Sequence, residues 1–204
     1  MKTVKKIIAA SFLAVAFAGN VQAQAVEEGT ILIDATYGFP NFTSKLLREA
    51  YAGTVDDVTV KSLGPLAVKF EYLVSDKIGI GLEAGYANTT IEYSQIDAFN
   101  PANTYSYKVS MPRFRVMPKF NFHFADNDSF DAYVSVGAGY ASSNITVETN
   151  QPNYQDLTTL NLFPVAARLA VGGRYFFSDA IGANLELGLG SGALVAAGLS
   201  IRIQ

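Results

Sequence analysis

Apolar and polar side chains alternate with a period of two along most of this sequence. From Arg113 to Phe124 the even positions are Phe, Val, Pro, Phe, Phe and Phe, and the odd positions are Arg, Arg, Met, Lys, Asn and His. Successive side chains of a β-strand point to opposite faces, so this segment has one oily face and one ionic face. The pattern constrains the chain to an all-β fold.

Seven further stretches alternate in the same way, so the sequence predicts eight strands of roughly nine to twelve residues. Their apolar faces begin at Ile31, Leu66, Ile78, Phe114, Phe130, Val165, Ile181 and Val195. Three prolines fall within or beside these strands: Pro112, Pro118 and Pro164. Because proline has no backbone N–H to donate, we expect a bulge or frayed pairing at each of them.

The connections between the strands alternate in length. Three are short turns: 75–77, 125–129 and 178–180. Three are long loops: 40–63, 94–107 and 143–160. A tight link over 190–192 joins the last two strands, and residues 43–53 have the pattern of a short helix. Short turns at one end and long loops at the other are typical of a transmembrane β-barrel.

The N-terminal segment has the three parts of a secretory signal peptide. A basic head over residues 1–6 precedes an apolar run over 7–18 and a small-x-small site that ends at Ala23. The apolar run is too short to span a bilayer as a helix. We therefore expect signal peptidase to cleave after Ala23, which leaves one mature domain over residues 24–204.

Composition excludes several classes of protein. Half of the residues are hydrophobic, only 16% are charged and none is cysteine. An ordinary soluble domain has about 25% charged residues. The absence of cysteine excludes disulfide scaffolds and thiolate zinc sites. A net charge of −3 gives no attraction to nucleic acid, which we do not expect as a partner.

Glycine and aromatic residues indicate which face of the strands is inside. Alternation alone fits both a membrane barrel and a soluble barrel of the lipocalin kind. The glycines lie mainly on the polar face, where the crowded interior of an eight-stranded barrel needs small residues. The oily face has aromatic residues near both strand ends, as expected at the two interfaces of a membrane. The oily face is therefore expected to contact lipid.

The mature chain resembles the small outer-membrane β-barrel proteins of Gram-negative bacteria, of the OmpA, OmpX and OmpW type. The likeness rests on the strand pattern and on residues 197–204, in which apolar residues spaced by two follow a glycine. The sequence departs from the family at Gln204, where a terminal aromatic residue is common. The resemblance implies an eight-stranded antiparallel up-and-down transmembrane β-barrel with short periplasmic turns and longer extracellular loops.

The resemblance also implies a location and partners. The protein would be exported to the outer membrane of a Gram-negative bacterium, where lipid and lipopolysaccharide surround it. The barrel-assembly machinery would engage its C-terminal strand. A surface ligand would meet the long loops over 40–63, 94–107 and 143–160.

The polar face carries an ionic set that is expected to fill the barrel interior. It consists of Asp34, Lys69, Glu71, Glu83, Arg113, Arg115, Lys119, His123, Asp131, Arg168, Arg174, Glu186 and Arg202. Buried charges must be paired or solvated, so we expect a salt-bridge network that plugs a narrow lumen. If the first short turn is centred on Asp76, Lys69 stands opposite Glu83. If the second is centred on Asn127, His123 stands opposite Asp131.

These features leave three functions open. The first is a structural barrel with a plugged interior and a surface-interaction role. The alternative is a narrow porin-like channel for small or apolar solutes, of the OmpW type, and a weaker alternative is a soluble exported binder of the lipocalin kind.

The sequence predicts neither an enzyme nor a cofactor. Some barrels that resemble this one process lipid A with a histidine, a serine and a carboxylate on the outer side. The sole histidine, His123, falls beside a periplasmic turn instead. No metal site is expected either, because the run 126–129 lacks the glycine and the distal glutamate of a calcium loop.

Overall fold

The described part of the chain consists almost wholly of strands and their connections. The structure, a computed structural model, describes residues 25–39, 49, 56–97, 100, 102–125, 127–152, 154 and 164–204. Its strands are β1 (Ile31–Phe39), β2 (Asp56–Ser75), β3 (Ile78–Ile96), β4 (Thr104–His123), β5 (Phe130–Ser143), β6 (Thr146–Thr149), β7 (Val165–Phe176), β8 (Ile181–Gly190) and β9 (Val195–Ile203). The expected signal peptide and, apart from Glu49, the expected helix over 43–53 lie outside these residues. Within them, no helix has the length and apolar character needed to cross a membrane.

Eight of the strands close into an antiparallel barrel. The wall runs in the order β1, β2, β3, β4, β5, β7, β8 and β9, and β9 pairs with β1 to complete the circle. That seam runs from Ile31 opposite Ile203 to Phe39 opposite Val195. The predicted eight-stranded up-and-down architecture is thus confirmed. We call the end with the three short turns and the C-terminus the turn end, and the opposite end the loop end.

The remaining strand, β6, continues β5 beyond a short interruption. Both pair with β4 in one register, in which Arg113 faces Ser143 and Ser110 faces Thr146. The interruption at residues 144–145 lies opposite Pro112 and Met111. Because the proline nitrogen has no hydrogen to donate, the ladder breaks there. The frayed pairing expected at Pro112 takes this form.

The other two prolines differ from each other. Pro118 pairs with Leu82 of β3 in a register that is not shifted, so no bulge forms there. On its other side the β4–β5 ladder is interrupted between the pairs Val116–Tyr140 and Lys119–Gly137, which is the frayed pairing expected at Pro118. A missing donor removes one hydrogen bond from the ladder without requiring an extra residue in the strand. Pro164 lies immediately before β7 and is not a strand residue.

Inward and outward residues of the wall differ sharply in exposure. On β1, Asp34 is buried at 1% exposure, whereas Tyr37 on the other face is 43% exposed. Leu169 and Leu185 are each 54% exposed on the outer surface. Contiguous apolar surface of this kind marks a membrane or protein contact. The oily face is therefore the outside of the barrel, as the sequence predicts.

Strands β2, β3 and β4 are longer than predicted, with 20, 19 and 20 residues. Their loop-end parts form a sheet with β6 that projects beyond the apolar band, and we call this sheet the extension. It consists of residues 56–63, 88–96, 104–112 and 146–149. Parts of all three expected long loops are therefore strand.

The predicted length is wrong for these three strands because the apolar residues change faces where the wall leaves the lipid. On β3, the outward residue is apolar at Tyr86 but polar at Thr90 and Glu92. The inward residues of the extension include Ile91 and Tyr93. A search for one continuous oily face therefore ends at the membrane boundary, although the backbone pairing continues.

Strand register tests the two predicted ion pairs. Lys69 stands opposite Glu83, as predicted. His123 stands opposite Tyr133, so the prediction that it faces Asp131 is wrong by two residues. The shift keeps every side chain on its face because the period of a strand is two. His123 still reaches Asp131, diagonally across the strand pair.

The apolar band on the outer face predicts that the energetic cost of an added charge depends on its depth in the membrane. Leu185→Arg places a charge at the middle of the apolar band and should lower the free energy of unfolding by about 2–4 kcal/mol. Thr90→Arg, on the outer face of the extension, is the matched control and should cost about 0–1 kcal/mol. Urea unfolding in phospholipid vesicles measures both. Equal effects of the two variants would contradict the placement of the band.

Candidate functional site

Charged side chains fill the barrel interior in two layers. The lower layer, nearer the turn end, consists of Asp34, Glu71, His123, Asp131 and Arg174. The upper layer consists of Lys69, Glu83, Arg115, Lys119, Arg168 and Glu186. The most exposed of these, Arg115, shows 11% of its side-chain surface. Eleven of the thirteen predicted interior residues therefore lie in two compact groups.

Arg174 organises the lower layer. Its Nη2 lies 2.9 Å from Asp34 Oδ2 and 2.7 Å from Glu71 Oε2, and its Nη1 lies 2.7 Å from Asp131 Oδ2. The hydroxyl of Ser200 donates to Asp34 Oδ1 at 2.6 Å. A guanidinium carries five N–H donors in a fixed fork, which suits it to several carboxylates at once. Arg174 thereby ties β7 to β1, β2 and β5.

His123 completes the lower layer. Its Nδ1 lies 2.7 Å from Asp131 Oδ1, and its Nε2 lies 2.8 Å from Glu71 Oε1. An ionised carboxylate only accepts hydrogen bonds, so a ring that donates to both carries a hydrogen on each nitrogen. Each ring nitrogen of His123 thus faces a carboxylate oxygen, so Arg174 and His123 lie among the three carboxylates of this layer.

Glu186 is one of two acceptors in the upper layer. It accepts from Arg168 Nε and Nη2 at 3.1 and 3.0 Å, and from Lys69 Nζ at 2.7 Å. The Tyr133 hydroxyl also donates to it, at 3.0 Å. The guanidinium of Arg174 lies 4.3 Å from the centre of the Tyr133 ring. Tyr133 thus joins the two layers.

Glu83 is the other acceptor. It accepts from Arg115 Nε and Nη2 at 3.2 and 2.9 Å, and from Lys119 Nζ at 3.1 Å. Lys119 Nζ also lies 3.7 Å from Glu186 Oε2, which links the two acceptors. The upper layer therefore contains four cations and two carboxylates.

Glycines of the inner wall leave room for these long side chains. A Cβ atom at Gly79 would collide with the carboxylate of Glu71, and one at Gly188 would collide with the guanidinium of Arg168. Gly79 of β3 lies next to β2, which carries Glu71. Gly188 of β8 lies next to β7, which carries Arg168. The concentration of glycine on the polar face thus has a steric cause.

An apolar cap closes the turn end. Ala25 and Val26 are 1% and 2% exposed and cluster with Leu32, Leu73 and Phe176. The backbone N–H of Ala25 donates to the carbonyl oxygen of Asn127 in the second turn. The sequence did not reveal this cap, because two residues beside the expected cleavage site show no periodic pattern.

Arg202 holds this cap rather than joining either layer. Its Nη1 donates to the carbonyl oxygen of Ala25 at 2.6 Å, and its Nε donates to that of Asp179 at 2.8 Å. Its guanidinium lies 4.3 Å from the centre of the Phe176 ring. The C-terminal strand therefore fixes the first described residues at the mouth of the barrel.

The link between β8 and β9, residues 191–194, covers the two layers on the side of the loop end. Arg168 Nη1 donates to the carbonyl oxygens of Ser191 and Ala193 at 3.3 and 2.8 Å. Ala193 is only 4% exposed, so this link bends into the barrel. The Arg168 guanidinium thus binds Glu186 through Nε and Nη2, and it binds the backbone of the link through Nη1.

Arg113 lies apart from the buried groups. It faces inward at the base of the extension, opposite Ala87 and Ser143, but its side chain is exposed. Arg113 therefore faces inward as predicted but is not one of the buried groups of the two layers. The alternation assigns a face but gives no depth, and at this depth the interior is open to water.

Three lumenal groups lack a protein partner. The Asn121 and Asn184 Oδ1 atoms and the Ser135 hydroxyl are buried and unpaired among the described residues. Asn121 and Ser135 stand opposite each other on β4 and β5. Buried polar groups of this kind bind ordered water. In the described part of the chain, no three acidic or histidine side chains form a metal site.

The comparison with family models decides the classification. Residues 10–194 match the model of the outer membrane protein beta-barrel domain. The chain belongs to that family. As an outer membrane protein, it has its turn end in the periplasm and its loop end outside the cell.

Several solved barrels are similar to this outer membrane protein. The N-terminal β-barrel domain of Pseudomonas aeruginosa OprF is 14% identical, with 87% of this chain and 100% of that one covered and a TM-score of 0.45. Pseudomonas aeruginosa OprG is 11% identical, with 91% and 100% covered and a TM-score of 0.45. Yersinia pestis Ail is 11% identical, with 86% and 99% covered and a TM-score of 0.37. Among curated proteins, none matches the chain significantly.

The contacts of Arg174 in the lower layer predict that its removal strongly lowers the free energy of unfolding. Arg174→Leu leaves three buried carboxylates with His123 alone, so the free energy of unfolding should fall by about 3–5 kcal/mol. Lys61→Met is the control, because the Lys61–Glu92 ion pair is 65% and 37% exposed and should be worth less than about 1 kcal/mol. Urea unfolding in vesicles compares them. A similar small loss in both variants would contradict a structural role for the network.

Proposed function

We propose that this outer membrane protein is a structural barrel with a sealed polar interior, which acts through its cell-surface parts rather than by transport or catalysis. The observation that carries the proposal is the continuous obstruction across the lumen. Eight strands leave an interior just wide enough for side chains. Two layers of paired charges occupy that interior here.

Obstructions also stand at both sides of the layers. The cap of Ala25 and Val26 lies at the periplasmic mouth, and the link over 191–194 lies toward the outside. A solute would have to displace apolar contacts as well as separate buried ion pairs. Breaking a buried pair costs about 3–5 kcal/mol, so a static pathway is strongly disfavoured.

The surface role rests on the extension. Its outer face carries exposed cations and carboxylates just above the apolar band, including the pairs Lys61–Glu92 and Lys108–Glu148. Lipopolysaccharide presents phosphate and sugar groups at this height, so we infer that this face contacts it. The loops that leave the extension would meet a surface ligand or a partner protein.

A catalytic role has little support from the only histidine. His123 is 1% exposed at the periplasmic side, and both its ring nitrogens are engaged by carboxylates. A general base needs a free nitrogen within reach of substrate. We therefore propose that the histidine is structural and that the protein is not an enzyme.

Planar-bilayer recording tests the sealed interior. The wild-type protein should insert without producing unit conductance steps, because the paired charges and both obstructions stay in place. Heat-modifiable gel mobility of the same sample shows that folded barrel is present. Stable steps whose size changes in Arg115→Ala would overturn the proposal and favour a channel.

A further inference from the structure

A groove crosses the outer face of the wall close to the loop end. Its floor consists of Ala35 of β1, Ala84 of β3 and Ala197 of β9, together with Gly85 and Gly198, which contribute only backbone. The groove has a volume of about 550 Å³ and is open toward the lipid. That volume lies within the range of about 300–1,000 Å³ that is usual for ligand pockets. The groove therefore has the capacity for part of a lipid molecule.

Strand register explains why the groove forms. Ala35 stands opposite Val68, and Val68 stands opposite Ala84, so smaller side chains share one row across β1, β2 and β3. Two residues further toward the loop end, the corresponding row is bulky and consists of Tyr37, Leu66, Tyr86 and Phe114. Two residues toward the turn end, the row is bulky again and consists of Ile33, Phe70 and Leu82. The smaller residues thus form a depression between two ridges.

The depth of the groove places it in the outer leaflet of the membrane. Tyr37 and Tyr86 belong to its ridge on the loop-end side, and the outward residues of β3 beyond Tyr86 are polar. Tyrosine is enriched where the hydrocarbon meets the headgroups of a membrane. Since the loop end lies outside the cell, the groove opens among the acyl chains of the leaflet that contains lipopolysaccharide.

Exposed cations stand above the groove. Strand β2 continues from Leu66 past a register shift to Leu63 and then to Lys61 on the same outer face. The side chain of Lys61 is 65% exposed, and that of Lys108 on β4 is 46% exposed. Each lysine pairs with a carboxylate, but an exposed pair of this kind contributes little stability. A phosphate group can therefore replace the carboxylate.

We propose that the groove binds one acyl chain of lipid A, the membrane anchor of lipopolysaccharide, while Lys61 contacts a phosphate of the same molecule. Binding to a membrane lipid increases with the apolar area buried and with attraction to an anionic headgroup. The groove supplies the first contribution and the extension supplies the second. The inference rests on the proposed contact with lipopolysaccharide and deepens it, and it does not depend on the sealing of the lumen.

The lipid that the purified barrel retains tests the site. Wild-type protein is refolded into phosphatidylethanolamine vesicles that contain lipid A, extracted with a mild detergent and weighed by native mass spectrometry. One lipid A molecule per barrel is expected to remain bound. A barrel without bound lipid, or with phosphatidylethanolamine in place of lipid A, overturns the proposal.

Filling the groove tests where the chain binds. Ala35→Leu combined with Ala84→Leu should weaken the retention of lipid A about tenfold, because the chain loses roughly two buried methylene groups. Ala138→Leu is the matched control and should retain lipid A as the wild type does. Ala138 also faces outward two residues before a tyrosine near the loop end, but it does not line the groove.

A charge variant separates this inference from the broader contact with lipopolysaccharide. Lys61→Glu should also weaken retention of lipid A, because it reverses the charge above the groove. Unchanged retention in the groove-filling variant overturns the groove as the site. If Lys61→Glu still weakens retention in that case, the proposed lipopolysaccharide contact stands without the groove. Heat-modifiable gel mobility shows that each variant is folded.

Discussion

The hydrocarbon core of a membrane offers no hydrogen-bonding partner to the backbone, and the architecture of this protein depends on that constraint. A spanning sheet must therefore close on itself. Pairing of β9 with β1 completes the circle, with Ile31 opposite Ile203 at one end of the seam. Closure in turn divides every strand into a lipid face and a lumen face. In the described strands, the charged side chains at the depth of the apolar band therefore face inward.

The charged interior follows from this division. Side chains that cannot face lipid must find partners within a narrow lumen, and they do so across strands rather than along them. Arg174 contacts residues of three other strands, and Tyr133 joins its layer to Glu186. The network therefore adds cross-barrel links to a wall held together by backbone pairing. The same contacts place paired charges across the lumen at two depths.

Periodicity in the sequence predicted the faces of the wall but neither depth nor register. It assigned Asp34 and Glu186 to the interior because alternation alone determines the side of a strand. It missed the exposure of Arg113, since nothing in the pattern says where water begins. It placed His123 opposite Asp131 rather than Tyr133, two residues away, because the geometry of the 125–129 turn is not encoded in the strand pattern. The inversion of apolar residues above Tyr86 is a signal that could have revealed the extension.

We propose that the lumen is closed to water-borne solutes from both sides, and thiol labelling tests this closure most directly. The natural chain has no cysteine, so a single introduced thiol reports without background. Ser135→Cys places a thiol between the layers at a site that is 1% exposed, and Ser106→Cys places one on the exposed outer face of the extension. In liposomes, a charged methanethiosulfonate reagent should modify Cys at position 106 and leave position 135 unmodified from either side. Modification of position 135 at a comparable rate, from either side, would contradict a sealed lumen.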